Sequence, residues 1–302
     1  MIRSLLDRVA ARVLAPEGVD FTVPPGEPAV VPAGSVSWDV YGNPVTLYIG
    51  GIAAVLLELG EPRVRHGVWD HSSFKRDPGR RLRRTGMAAM VTVYGARSVF
   101  EATAARVNRM HAQIRGTTPE GIRYAADDPE LLLWVQATAT WAFMEAYHRY
   151  ARPVSPVERD RYFAESRAGA ALYGVEAPPA SGAELDALFA AMTPRLGPSP
   201  ILHEFLSVLR DAPLMPRPLR PIQRLGIRAA VDLVPADLRQ RIGLGDLPAL
   251  RSRERRLLQG LARTAEHIQL PSSPRCQAER RVKRGGANGP CPQPEPSVRR
   301  LT

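Results

Sequence analysis

Arg81, Arg84 and Thr85 occur in the segment RLRRT at positions i, i+3 and i+4. On a helix, residues at these spacings share one side. A guanidinium there could pair with a haem propionate or polarise bound dioxygen or peroxide, while Thr85 supplies a hydroxyl group. Arg80 and Arg83 lie beside them, so the alternative interpretation is a solvated basic face.

His111 follows on a second predicted helix, in the segment NRMHAQIRG. Phe100, Ala104, Val107, His111 and Ile114 are spaced by four, three, four and three residues, which predicts one continuous apolar face. The periodicity alone favours a core histidine whose ring bonds a carbonyl group. The alternative is an axial ligand, because neutral imidazole commonly ligates haem iron.

His66, Asp70 and His71 form a second candidate cluster around the segment GVWD. Two histidines and a carboxylate can hold a non-haem metal ion. The spacing of five between the histidines is not the i, i+4 pair of a helical zinc site. Structural roles remain open, and His71 could cap a helix or contact a haem propionate.

The predicted helix 129–150 has little polar surface over its first 20 residues and should therefore lie at the centre of the fold. Gln136 and Thr140 fall on one line of this helix with Phe143 and Tyr147. Polar side chains on a buried helix need hydrogen-bond partners. A neighbouring carbonyl group is the common partner, and a bound ligand in an adjacent pocket is the alternative.

The bulk composition is that of an ordinary soluble globular protein, with 302 residues of which 44% are hydrophobic and 24% charged. Residues 271–302 hold seven basic and two acidic residues, so they carry +5 of the net charge of +11. Since this basic tail lacks interleaved aromatic residues, nucleic-acid binding is not predicted. The chain shows no phosphate-binding glycine loop, GxSxG, HExxH or paired CxxC motif.

The two cysteines, Cys276 and Cys291, do not form a disulfide framework, which favours a reducing compartment. The N-terminal segment is amphipathic and carries Asp7, unlike a secretory signal. The longest apolar run, 45–57, has 13 residues, against the roughly 20 that a membrane-spanning helix needs. We therefore predict a cytoplasmic protein with no membrane span.

The predicted fold class is all-α, as a single helical domain followed by a disordered tail. A helix over 2–14 and a Pro/Gly-rich loop from Pro24 to Pro44 precede the helical domain of 45–270, and 271–302 is the disordered basic tail. Apolar spacing, caps and proline or glycine breaks predict the helices 45–59, one starting near Arg80, 98–113, 129–150, 156–173, 183–193, 200–211, 222–233, 235–242 and 247–268.

Several motifs in a fixed order resemble a known family. They are GGIAAVLLELGEPRVRHGVWDHSSFKRDPGRRLRRT, then VYG, then RMHAQIRGTTPEGIRYAADDPELLLWVQAT, and finally YFAESRAGAALYGVEAPP. Across roughly residues 45–230 they are similar to a bacterial oxygenase-like family. That family includes the latex-clearing rubber oxygenases and the membrane-bound oxygenase of mycophenolic acid biosynthesis.

The resemblance implies an all-helical domain with a globin-like core around a buried pocket for haem b. The family's proximal histidine matches His111, and its distal RxxxT motif matches Arg81 and Thr85. Members use dioxygen to cleave carbon–carbon double bonds in isoprenoid chains. The resemblance thus favours the ligand role of His111, and His111 becomes the predicted iron ligand.

This chain departs from the family at three positions. Glu61 replaces the histidine of LAHP, and Gln136 replaces the histidine of WVHAT. Arg84 stands where the rubber-oxygenase branch has a lysine. Arginine does not lose its proton and therefore does not coordinate iron. The arginine therefore argues against a resting state in which Arg84 coordinates the iron. The three changes together argue against a rubber-type substrate.

The resulting hypothesis is an oxidoreductase that binds haem b iron and uses dioxygen on a small apolar, unsaturated substrate, with an unidentified electron donor. Arg81 and Thr85 would be catalytic, and His111 would ligate the iron. The further cofactor contacts would be Arg84, His71, Gln136 and Thr140. The alternatives are a haem-free metalloenzyme using histidine and carboxylate ligands, and a non-catalytic helical module that binds an apolar ligand.

Overall fold

The computed structural model describes residues 19–268 and 270–283. Within these residues, thirteen α-helices carry almost all of the regular structure. They are Val36–Val40 (α1), Pro44–Glu58 (α2), Pro62–Trp69 (α3), Pro78–Tyr94 (α4), Arg97–His111 (α5), Pro129–Tyr150 (α6), Pro156–Leu172 (α7), Gly182–Met192 (α8), Pro200–Asp211 (α9), Arg220–Leu233 (α10), Ala236–Arg241 (α11), Ser252–His267 (α12) and Pro274–Lys283 (α13). Short 3₁₀ helices span Thr193–Arg195 and Arg217–Leu219. The prediction of a mostly helical protein is confirmed.

Side-chain caps followed by proline define where several helices begin. The Asp128 carboxylate accepts a hydrogen bond from the amide of Glu130 at 2.9 Å at the start of α6. Asp77 accepts from the amide of Arg80 at 3.0 Å at the start of α4. A proline at the first helical position has no amide hydrogen to satisfy, so cap and proline together favour these starts.

Helices α2 and α6 pack side by side at the centre of the fold. A Cβ atom placed on Gly50 of α2 would lie 2.8 Å from the carbonyl oxygen of Ala142 and 3.0 Å from the Cα of Phe143 in α6. Because a real side chain rarely tolerates such distances, glycine at this position lets the two backbones approach each other. The predicted central position of α6 is confirmed.

Helix α4 contacts two apolar cores. The larger core surrounds α2 and α6 and includes Ile49 and Trp134. The smaller core contains Trp38, Tyr94 and Phe100 and joins α1, α4 and α5. Helix α4 therefore connects the two cores along its length.

A short antiparallel hairpin follows α5. Its strands, Arg115–Thr117 (β1) and Arg123–Ala125 (β2), pair Arg115 with Ala125 and Thr117 with Arg123. Both strands contact helix α3. Each strand has three residues, which is too short to leave an alternating pattern in the sequence.

The predicted helix bounds agree with the structure to within one or two residues for most elements. The last helix before the tail begins at Ser252, five residues after its predicted start. Helix α1 lies inside the predicted loop of 24–44, and α3 lies in a short segment for which no helix was predicted. The predicted helix at 2–14 lies outside the described residues.

The prediction of disorder after Leu270 does not hold for residues 274–283, which form α13. Arg281 is fully buried, and its guanidinium donates to the carbonyl oxygens of Phe21 and Glu27, each at 2.8 Å. Cys276 is a free, buried thiol in the same helix. The buried residues of α13 are small or charged, so the segment lacked the large apolar residues that signal a packed helix.

Among the described residues, no single helix has the length and apolar character to cross a membrane. Only Pro44–Glu58 together with Pro62–Trp69 meet those criteria as a pair, and they are bent by 115° relative to each other.

Candidate functional site

Arg81 and Thr85 interact directly on helix α4. The Arg81 guanidinium donates a short hydrogen bond to the Thr85 hydroxyl oxygen. That hydroxyl donates in turn to the Arg81 carbonyl oxygen at 3.0 Å. The predicted shared side of these residues is therefore correct. Arg81 is half-buried, whereas Thr85 and Arg84 are exposed. Of the two arginines, Arg81 is therefore the one whose charge lies partly inside the protein.

The part of α4 that holds these residues lies at the junction of the two cores. Leu82 packs against the larger core, and Met87 packs against the smaller one. Gly86 has open space around it, since a Cβ atom there would meet no other atom within 4 Å. This turn of α4 thus borders both cores and leaves room beside Thr85.

His111 is the last residue of helix α5. Phe100 and Ala104 are buried on the predicted face, and Val107 and His111 are half-buried, so the face becomes more exposed toward the end of the helix. The His111 Nδ1 atom is buried and has no hydrogen-bond partner among the described residues. The carbonyl partner expected for a core histidine is not found at this nitrogen in the described part of the chain. An unpaired buried nitrogen costs about 1–3 kcal/mol of folding free energy, which calls for a functional explanation.

The charge environment keeps His111 neutral. Burial lowers the pKa of its imidazole, and the nearby Arg81 guanidinium lowers it further, while Asp127 acts weakly in the opposite direction. The neutral form is the one that ligates metals through a ring nitrogen. The structure therefore places Arg81 and His111 together in a way that favours a ligand-competent imidazole.

Glu58 is a site residue that the sequence reasoning missed. It is the last residue of α2, and burial raises the pKa of its carboxyl group to about 7, with Arg81 opposing that shift. Burial lowers the pKa of Arg81, but its guanidinium stays protonated at neutral pH. Glu58 is the only charged residue in the apolar helix PVTLYIGGIAAVLLE. This single charge is the feature of the sequence that could have indicated a functional residue.

Gln136 and Thr140 satisfy each other within α6. The Gln136 amide donates to the Thr140 hydroxyl oxygen at 3.0 Å, and that hydroxyl donates to the Gln136 carbonyl oxygen at 2.7 Å. Both side chains therefore find their hydrogen-bond partners within α6, including a backbone carbonyl group as expected from the sequence. A pocket-lining role for Gln136 and Thr140 stays a prediction.

The histidines of the second cluster have different partners. His66 Nδ1 lies 2.9 Å from the Asp70 carboxylate, and His71 Nε2 lies 3.1 Å from the Tyr124 hydroxyl on β2. Throughout the described ranges, no three His, Cys, Asp or Glu side chains converge as a metal site requires. This geometry does not favour the haem-free metalloenzyme.

Glu61, which replaces a histidine of the family motif, caps helix α3. Its buried carboxylate accepts from the amide of Val64 at 2.8 Å and pairs with Arg63 at 2.7 Å. Arg63 also reaches Glu130 on α6 at 2.8 Å. The residue at this family position therefore has a structural role here.

With this arrangement of helices and polar groups in view, the comparisons with known proteins identify the class. Residues 38–267 match the family described as ER-bound oxygenase mpaB/B′/rubber oxygenase, catalytic domain. The match covers most of the chain, and the chain belongs to this family of oxygenase catalytic domains. The resemblance predicted from the motifs is confirmed.

Two bacterial relatives are similar to part of this chain. An uncharacterised protein of Mycobacterium bovis and one of Mycobacterium tuberculosis are each 28% identical over 119 residues. These residues are 38% of this chain and 47% of each relative, so the chain spans about half the length of the curated relatives it matches. No solved structure shows a significant match.

Proposed function

We propose that this protein is a haem b-dependent oxygenase that acts with dioxygen on an apolar, unsaturated substrate. Family membership supports oxygenase activity. The observation that carries the haem assignment is His111, whose Nδ1 atom is buried without a hydrogen-bond partner in the part of the chain that the structure describes. A neutral imidazole with an unused nitrogen fits the donor chemistry of a haem ligand.

Arg81 and Thr85 would act beside the bound oxygen. Arg81 is held by Thr85 and influenced by Glu58, so its charge is fixed in place before substrate binds. A fixed cation lowers the energy of negative charge that develops during reaction. When bound, the haem iron supplies the redox chemistry that activates dioxygen.

Exposed polar side chains near this site would hold the haem carboxylates. Arg84 lies on the next turn of α4 and is exposed, as is His71. Guanidinium groups bind carboxylates through two parallel hydrogen bonds, so Arg84 is the stronger candidate. Gln136 and Thr140 on α6 would line the apolar side of the pocket.

The substrate would be apolar because the helices beside the site offer few charge partners. Glu58 is the acid that interacts electrostatically with Arg81, and because its pKa is about 7 it is partly protonated at neutral pH. A dioxygen-dependent reaction with such a substrate needs electrons from the substrate itself or from a separate donor protein. The electron donor and the cytoplasmic location remain part of this proposal.

An absorption spectrum of the purified chain, loaded with hemin, tests the haem assignment. We expect an intense band near about 400 nm, typical of protein-bound haem, that is lost in His111→Ala. His267→Ala is the matched control, because His267 is exposed at the end of α12. A band retained in His111→Ala would reject His111 as the ligand. A wild-type chain that takes up no hemin would favour a helical module without haem.

A further inference from the structure

A cleft of about 420 Å³ lies on the other side of helix α6 from Gln136 and Thr140. Trp141, Glu145 and Arg149 of α6 form one wall, and they recur every fourth residue. At about 100° per residue, this row lies roughly opposite the line of Gln136 and Thr140. The cleft volume falls in the range of about 300–1,000 Å³ that small-molecule sites occupy.

The cleft carries an excess of positive charge. Arg149, Arg239 and Arg255 line it together with the acids Glu145 and Asp232. Glu145 already pairs with Arg149 at 3.1 Å and, from outside the cleft, with Arg159 at 3.0 Å.

Asp232 is likewise engaged. It pairs with Arg255 at 3.1 Å and accepts from the amide of Leu250 at 3.3 Å. Three arginines of the cleft therefore face two carboxylates, one of which is also paired with Arg159 outside the cleft, so the lining carries an excess of positive charge.

The Arg239 side chain has no hydrogen bond or ion pair to any residue that the structure describes, and its Nε atom is buried. The Nε atom of Arg255 is buried and unpaired in the same part of the chain. A buried guanidinium nitrogen without an acceptor is costly, and an oxyanion in the cleft would satisfy it. The unpaired Nε atoms of Arg239 and Arg255 and the excess of positive charge therefore both indicate a negatively charged ligand.

The rest of the cleft is apolar. Trp141, Val234 and Pro235 line it beside the arginines. An aromatic ring and small apolar side chains suit the body of an organic molecule rather than a bare ion.

We propose that this cleft binds a small phosphate monoester, with the dianionic phosphate on Arg239 and Arg255 and an apolar body against Trp141. A phosphate monoester carries about −1.5 to −2 charges at neutral pH, which complements the excess positive charge of the cleft. The site does not depend on haem, because it lies across α6 from the proposed cofactor contacts.

Calorimetric titration of the full chain with phenyl phosphate, at a salt concentration of about 150 mM to screen the basic tail, tests this site. We expect saturable binding that Arg239→Gln weakens by about tenfold to a hundredfold, the value of one charge-assisted hydrogen bond. The Arg239 side chain has no partner among the described residues, so Arg239→Gln breaks no hydrogen bond or ion pair and should fold normally.

Arg253→Gln is the matched control. Arg253 is exposed on α12, so its loss removes the same charge without altering the cleft. It should leave binding unchanged, and phenol should not bind. The proposal is wrong if wild type shows no saturable binding, if both variants weaken it equally, or if phenol binds as well as phenyl phosphate.

Discussion

The guanidinium of Arg81 and the imidazole of His111 lie on the consecutive helices α4 and α5, close enough for the arginine charge to lower the pKa of the histidine. Because Glu58 at the end of α2 also responds to Arg81, one arginine links groups from three helices. The charge of Arg81 therefore influences the pKa values of both His111 and Glu58, and these two groups are the subjects of the first two predictions.

Arg81→Gln should raise the pKa of His111 toward its usual value of 6.5, because the repulsion of the imidazolium by the guanidinium is removed. Nuclear magnetic resonance of the histidine ring protons in the haem-free protein, followed against pH, measures this directly. Arg84→Gln is the matched control, since Arg84 is exposed on the same helix. An equal shift in both variants would show that Arg81 has no specific effect on His111.

Glu58→Gln should stabilise the protein more at pH 8 than at pH 5. The pKa of the Glu58 carboxyl group is about 7 in the folded chain and 4.5 in an unfolded chain. As the pH rises from 5 to 8, the unfolded chain therefore loses this proton before the folded chain does. Rising pH therefore favours unfolding of the wild type, and glutamine removes that cost.

Urea unfolding at the two pH values should show a relative gain at pH 8 on the order of 1 kcal/mol. Glu101→Gln is the control, because Glu101 is half exposed and its salt bridge with Arg97 is 3.8 Å long. If the gain from Glu58→Gln is the same at both pH values, Glu58 does not titrate near pH 7.

Local chemistry allowed much of this fold to be predicted from the sequence. An aspartate cap followed by proline set the start of α6 at Pro129, and its small share of polar residues indicated a central helix. The face that carries His111 followed from periodicity, and the RxxxT spacing placed Arg81 and Thr85 together. Each of these signals depends on residues within one or two helical turns of one another.

Features that depend on distant contacts could not be predicted in this way. Helix α1 has five residues, too few for a periodic pattern, and it is held by burial of Trp38. The raised pKa of Glu58 comes from its burial in the folded chain and is opposed by Arg81 on another helix. Helix α13 is fixed by hydrogen bonds from Arg281 to residues more than 250 positions away.

Gly50→Ala should destabilise the protein by about 1–3 kcal/mol, the usual cost of overpacking a core. The added methyl group would lie 2.8 Å from the Ala142 carbonyl oxygen and would push α2 away from α6. Gly260→Ala is the control, since that glycine lies in α12 with no atom within 4 Å of the new Cβ, and alanine there should stabilise the helix by about 1 kcal/mol. Thermal unfolding of both variants measures the difference. Equal stabilisation by the two alanines would contradict the close approach of α2 and α6.

Arg281→Ala should release helix α13 from the body of the protein. The fully buried guanidinium donates to the carbonyl oxygens of Phe21 and Glu27, and its loss leaves both acceptors without that donor. Hydrogen bonds to charged groups contribute about 1.5–3 kcal/mol each, so local opening of α13 should become much more frequent. Hydrogen exchange at the amides of 274–283 should accelerate, whereas exchange in α6 should change little.

Lys283→Ala removes an exposed charge from the same helix and should preserve the wild-type exchange pattern. Unchanged exchange at 274–283 in Arg281→Ala would mean that other contacts hold this helix in place.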